Sequence, residues 1–69
     1  MKYAVLYERT DTGYSAHAPD LPGCVAAGAT LEETAALMRR AIQMHLAGMR
    51  EDGEPIPEVR TIADSIIAA

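Results

Sequence analysis

The sequence predicts a small two-layer α+β domain with the element order β-β-β-α-β. Three observations carry that expectation. The first 28 residues hold three short stretches rich in Tyr, Val and Ala, separated by Gly, Pro and Asp, as hairpin-linked strands require. Residues 31–51 then repeat apolar side chains at spacings of three and four, the period of a helix. One helix covers one face of a three-stranded sheet, which makes two layers. The expected domain, spanning 1–69, is a three-stranded antiparallel sheet with one long helix on one face and a short C-terminal strand.

Lys2–Arg9 reads as the first strand, with Tyr3, Val5 and Tyr7 on one side and Ala4 and Leu6 on the other, following the two-residue period of a strand. Thr10-Asp11-Thr12-Gly13 is a turn cluster, with Gly13 placed to take a positive φ. Tyr14–Ala18 returns as the second strand, carrying Tyr14, Ala16 and Ala18 on one face and Ser15 and His17 on the other. Pro19 ends it, because proline has no N–H to give the ladder. Pro19-Asp20-Leu21-Pro22-Gly23 is a stiff loop, and Cys24–Ala27 is a short third strand of small residues.

The helix over Leu31 to about Glu51 is the best-specified element. Thr30 is placed as N-cap with Glu33 three residues on, the spacing of a capping box. Glu32 and Glu33 suit the positive end of the helix dipole. Gly53 is placed to close the helix and Pro55 to stop it. Leu31, Ala35, Met38, Ile42, His45 and Met49 form one stripe. Leu37 and Met44 lie outside it on one flank, seven residues apart. With them the apolar arc widens from about 100° to about 200°. The flank is therefore either part of the domain's own core or a seam against another subunit. Pro55-Ile56-Pro57 reads as extended, Thr61 as the cap of a single helical turn over Ile62–Ser65, and Ser65–Ala68 as the last short strand.

Length and charge bound the function. A chain of 69 residues buries only about 60% of the surface its unfolded form exposes, and small domains lean on disulfides, metals or partner subunits. Cys24 is the single cysteine, and with two scattered His it makes no zinc cluster. An apolar fraction of 49% therefore points to burial against other chains, a homo-oligomer, dimer or tetramer. Six basic residues against ten acidic ones give a net charge of −4. That balance disfavours a nucleic-acid module, which needs clustered Lys and Arg, and fits a basic protein partner. The first segment carries Lys2, Glu8 and Arg9 and lacks a signal-peptide core, and no run approaches the ~20 apolar residues of a membrane span. With one unpaired Cys, the cytoplasm is the expected location, without membrane contact.

Several residues resemble a known family. A Tyr-bearing first strand precedes Asp11-Thr12-Gly13-Tyr14, then Pro19-Asp20-Leu21-Pro22-Gly23-Cys24, then Gly28-Ala29-Thr30-Leu31-Glu32-Glu33. With the later Arg50-Glu51-Asp52-Gly53-Glu54-Pro55-Ile56-Pro57, the chain resembles the HicB-type antitoxin family (UPF0150) along nearly its whole length. The resemblance implies a partial ribonuclease-H-like fold without an active nuclease centre. It also implies neutralisation of a small basic mRNA-cleaving toxin of the HicA type in a type II toxin–antitoxin system. Many members of that family add a C-terminal DNA-binding domain. This sequence stops at Ala69, so direct DNA binding is not expected.

Enzymatic chemistry finds little support. A two-metal nuclease needs several carboxylates on neighbouring strand ends. Outside the helix and tail there are only Glu8, Asp11 and Asp20; Asp11 reads as a turn former and Asp20 as a loop acceptor. Cys24 with His17 or His45 shows no pairing that would lower a thiol pKa. No catalytic residue, metal or cofactor is expected. A residual metal-dependent nuclease and a toxin-free structural or regulatory oligomer are the alternatives. The candidate partner-binding residues are Tyr14, His17, Asp20 and Leu21, with a sheet-end plug as the other role for Leu21. The candidate oligomer interface is Tyr3, Val5, Tyr7, Leu37 and Met44.

Overall fold

The computed structural model describes residues 1–68 and contains strands β1 (Leu6–Arg9), β2 (Tyr14–His17) and β3 (Val25–Gly28), followed by helix α1 (Leu31–Glu51). The sheet order is β1-β2-β3 and both pairings are antiparallel. This is the expected α+β arrangement, with α1 packed on one face of the sheet and leaning over β2 and β3.

The register assigns every strand residue a side. Tyr7, Ala16 and Ala26 are cross-strand partners facing α1, whereas Leu6, His17 and Val25 align on the outward face. The ladder begins at Leu6 rather than at Lys2. Extending the same register would set Ala4 opposite Pro19, which has no N–H to offer, and residues 2–5 run ahead of β1 as a lead-in.

The turns are local. In Leu21-Pro22-Gly23-Cys24 the Cys24 amide donates to the Leu21 carbonyl at 3.0 Å and Gly23 has φ 84°. Pro22 and Gly23 thus occupy the two central positions of a type II turn. Gly13 does not take the positive φ expected of it. Its smallness serves a close approach instead: a Cβ there would lie 2.1 Å from the Gly28 carbonyl oxygen.

Both ends of α1 follow the sequence. Thr30 is extended (φ −125°, ψ 161°) and its hydroxyl accepts from the Glu33 amide at 3.1 Å. The Glu33 carboxylate reaches back to the Ala29 amide at 3.2 Å, one residue beyond the usual partner of a capping box. At the far end Gly53 (φ 70°) donates to Arg50 and Glu54 donates to Met49, the paired bonds of a Schellman cap.

The core consists of Ala16, Ala18, Leu21, Cys24 and Met38 with Thr34, and half-buried Val5, Ile42 and Leu46 pack around it. Thr34 lies over Gly28, where a Cβ would come within 2.8 Å of its Oγ1. Its hydroxyl donates to the Thr30 carbonyl at 2.8 Å, so burial leaves no polar atom unpaired.

The expected C-terminal strand over Ser65–Ala68 does not form, nor does a helical turn over Ile62–Ser65. After α1 the chain crosses the end of the sheet instead of running along an edge. The Tyr3 hydroxyl donates to the Pro57 carbonyl, and Asp20 holds Arg60 and Thr61. The Thr61 hydroxyl, expected to cap a turn, is engaged by Asp20. Residues 62–68 follow that anchor without helix or strand, and exposed.

Candidate partner-binding surface

The outward face of the sheet carries a row across all three strands. Leu6 pairs with His17, and His17 pairs with Val25. Leu6 and Val25 are exposed and His17 is half-buried between them. The next row, Glu8–Ser15–Ala27, is small and polar. Together they make an uncovered surface with two apolar ends and one carboxylate.

The four residues expected at a partner surface are not brought together. His17 is in the outward row. Tyr14 lies at the other end of β2, half-buried on the helix side beside Arg9 and Gly28. Leu21 is 0% exposed; it plugs the sheet end and offers no contact. Asp20 is engaged by the tail: its carboxylate accepts from the Arg60 amide at 2.8 Å, the Thr61 amide at 2.9 Å and the Thr61 hydroxyl at 2.7 Å. Those donors, the Thr61 amide foremost, hold the Asp20 pKa below its ordinary value of 3.8.

The residues expected at an oligomer interface divide in the same way. Tyr3 and Val5 pack against the core on the helix side, and Tyr7 shares that side at the open edge of β1. Leu37 and Met44 remain exposed, Met44 at 73%.

A third feature was not read from the sequence. Between the lead-in Met1–Val5 and α1 lies an open groove of about 570 Å³ with Val5, Ile42 and Leu46 on its floor and Lys2, Arg39 and Arg50 on its rim. Its signal was present in the sequence, since Arg39, Gln43 and Arg50 share one side of the helix. What the sequence lacked was the position of the lead-in that forms the other wall.

Cys24 is buried, and desolvation pushes its thiol pKa up, the opposite of an activated nucleophile. Among the described residues no three of His, Cys, Asp and Glu come together in a group able to hold a metal ion. No helix among them is long and apolar enough to cross a membrane.

A small acidic α+β domain with an uncovered sheet face can serve many roles, and comparison with known proteins narrows them. The family model for the HicB-like antitoxin of bacterial toxin–antitoxin systems matches residues 3–68. The chain belongs to the HicB-like antitoxin family. A protein of Haemophilus phage HP1 (strain HP1c1), described as an uncharacterized 14.9 kDa protein in the rep-hol intergenic region, is 39% identical over 66 residues. That match covers 96% of this chain and 50% of the phage protein, so the chain spans about half the length of that relative. A UPF0150 protein of Synechocystis sp. (strain ATCC 27184 / PCC 6803 / Kazusa) is 35% identical over 57 residues, covering 81% of this chain and 72% of the relative. No solved structure matches significantly.

Proposed function

We propose that this HicB-like domain is a non-enzymatic antitoxin that neutralises a HicA-type mRNA-cleaving toxin in the cytoplasm by direct protein–protein binding. Membership of the family supports an antitoxin role, and the order of three antiparallel strands followed by one helix fits a partial ribonuclease-H-like fold. The observation that carries the binding mode is the outward Leu6–His17–Val25 row. It is an uncovered row on the side of the sheet away from α1, apolar at both ends with His17 between them and Glu8 beside it. Apolar contact through Leu6 and Val25 gives affinity there. A net charge of −4 draws a basic toxin to it.

Co-expression with a HicA-like protein encoded next to this gene tests the proposal. Co-purification and rescue of growth are the expected results. A toxin that kills cells despite the presence of this protein, or that fails to co-purify, contradicts the reading.

A further inference from the structure

The most exposed apolar side chains sit beyond the Asp20 anchor. Ile62, Ile66 and Ile67 are 92%, 87% and 99% exposed. Their stretch makes only a local hydrogen bond among the described residues, from the Ser65 amide to Asp64. The chain exposes 5417 Å², against about 4,200 Å² for a compact protein of its mass. The difference exceeds what each partner contributes to the smaller stable protein interfaces, about 600 Å² of about 1,200 Å² in total.

The groove between the lead-in and α1 is chemically matched to this tail. Its floor is apolar, and its rim holds Lys2, Arg39 and Arg50 with no acidic residue, three of the six basic side chains in an acidic protein. Such a rim repels a basic toxin and selects an apolar segment bearing carboxylate. In an extended chain Ile62, Asp64 and Ile66 lie on one face, because alternate residues share a side. Two isoleucines flanking one carboxylate answer an apolar floor under a cationic rim. β1 is also an open sheet edge, a template for an added strand.

We propose that the groove receives the tail of a second copy of this chain. Ile62 and Ile66 enter it over Val5, Ile42 and Leu46, Asp64 meets the cationic rim, and the tail backbone runs along the edge of β1. Asp20, just beyond β2, holds the start of the tail, and no tail residue lines the groove of its own chain, which favours capture by a neighbour. Reciprocal exchange closes a two-fold dimer. The inference does not depend on any toxin.

Two measurements decide it. Light scattering on the full chain should give the mass of two chains, or of four if dimers pair further. The exposed-site double variant Ile62→Asp with Ile66→Asp should halve the measured mass, to one chain from two or to two from four, while circular dichroism keeps its helical signal. A monomeric native protein, or an unchanged mass in the variant, overturns the proposal. Separately, Gln43→Cys with Ile66→Cys should oxidise to a disulfide-linked species of at least two chains, Cys24 being buried and unreactive. A disulfide closed within one chain means the tail lies in its own groove and overturns the proposal. Absence of any disulfide at Gln43→Cys overturns it as well, because the tail then lies elsewhere. The cross-link also decides the matter if the aspartate variant fails to fold.

Discussion

Asp20 and Thr61, 41 residues apart, are clasped together: one carboxylate accepts from the Thr61 amide, the Thr61 hydroxyl and the neighbouring Arg60 amide. With the Tyr3–Pro57 bond, this clasp ties the segment after the helix across the end of the sheet. Asp20→Ala removes every acceptor, so the tail should come loose. Amide exchange at Arg60 and Thr61 should accelerate and trypsin should cut after Arg60 sooner, while the sheet and helix amides keep their protection. Asp20→Asn keeps one acceptor oxygen and should fall between the two.

The same clasp should respond to acid. The folded pKa of Asp20 lies below 3.8, so its stabilisation is complete above the unfolded value and disappears as pH falls through the folded one. Thr61 amide shifts followed by NMR should therefore titrate with a midpoint below 3.8, the ordinary value, and Asp20→Asn should abolish the transition.

Leu21 and the exposed pair Leu37 and Met44 should behave oppositely. Leu21 is fully buried, so Leu21→Ala should cost about 2–5 kcal/mol, enough to unfold much of so small a domain at room temperature. Leu37→Glu with Met44→Glu should leave the stability of a single chain nearly unchanged. We place on that flank a seam that joins dimers into tetramers, since it lies across the helix from the groove. The double variant should then lower the assembled mass to two chains. An unchanged mass removes that seam.

Gly13 and Gly28 should rank by what obstructs a side chain. At Gly28 a methyl would press on Thr34 Oγ1 at 2.8 Å and its amide nitrogen at 3.1 Å, and Gly28→Ala should cost about 1–3 kcal/mol. At Gly13 the obstacle is a backbone carbonyl at 2.1 Å, which cannot rotate away. Gly13→Ala should therefore be the more damaging substitution in a denaturant titration.

These substitutions also mark what was legible in the sequence. Helix α1 was read almost to the residue, because Thr30, Glu33 and Gly53 act within one turn of its ends. The first two strands were read with their alternating faces, since the two-residue period is local, and the third was read one residue early and without a face. The missing C-terminal strand, by contrast, depends on where residues 54–68 run, and that is decided by Asp20 and Tyr3, far away in sequence. Ile66 and Ile67 favour a strand but have no edge beside them within the chain. For the same reason Leu21 and Asp20 were placed at a partner surface. Nothing local distinguishes a loop leucine that turns inward, or reveals a carboxylate already engaged by a distant amide. Gly13 was correctly singled out, but its function is spacing rather than a positive φ.

Binding of purified HicA-type toxin, compared between the native protein and Val25→Lys, tests the central claim most directly. Val25 is 64% exposed, so the substitution leaves the fold alone while setting a positive charge in the outward row against a basic partner. A stable complex with the native protein, weakened about tenfold or more by Val25→Lys, is the predicted result. No complex, or equal affinity for both proteins, would contradict the account.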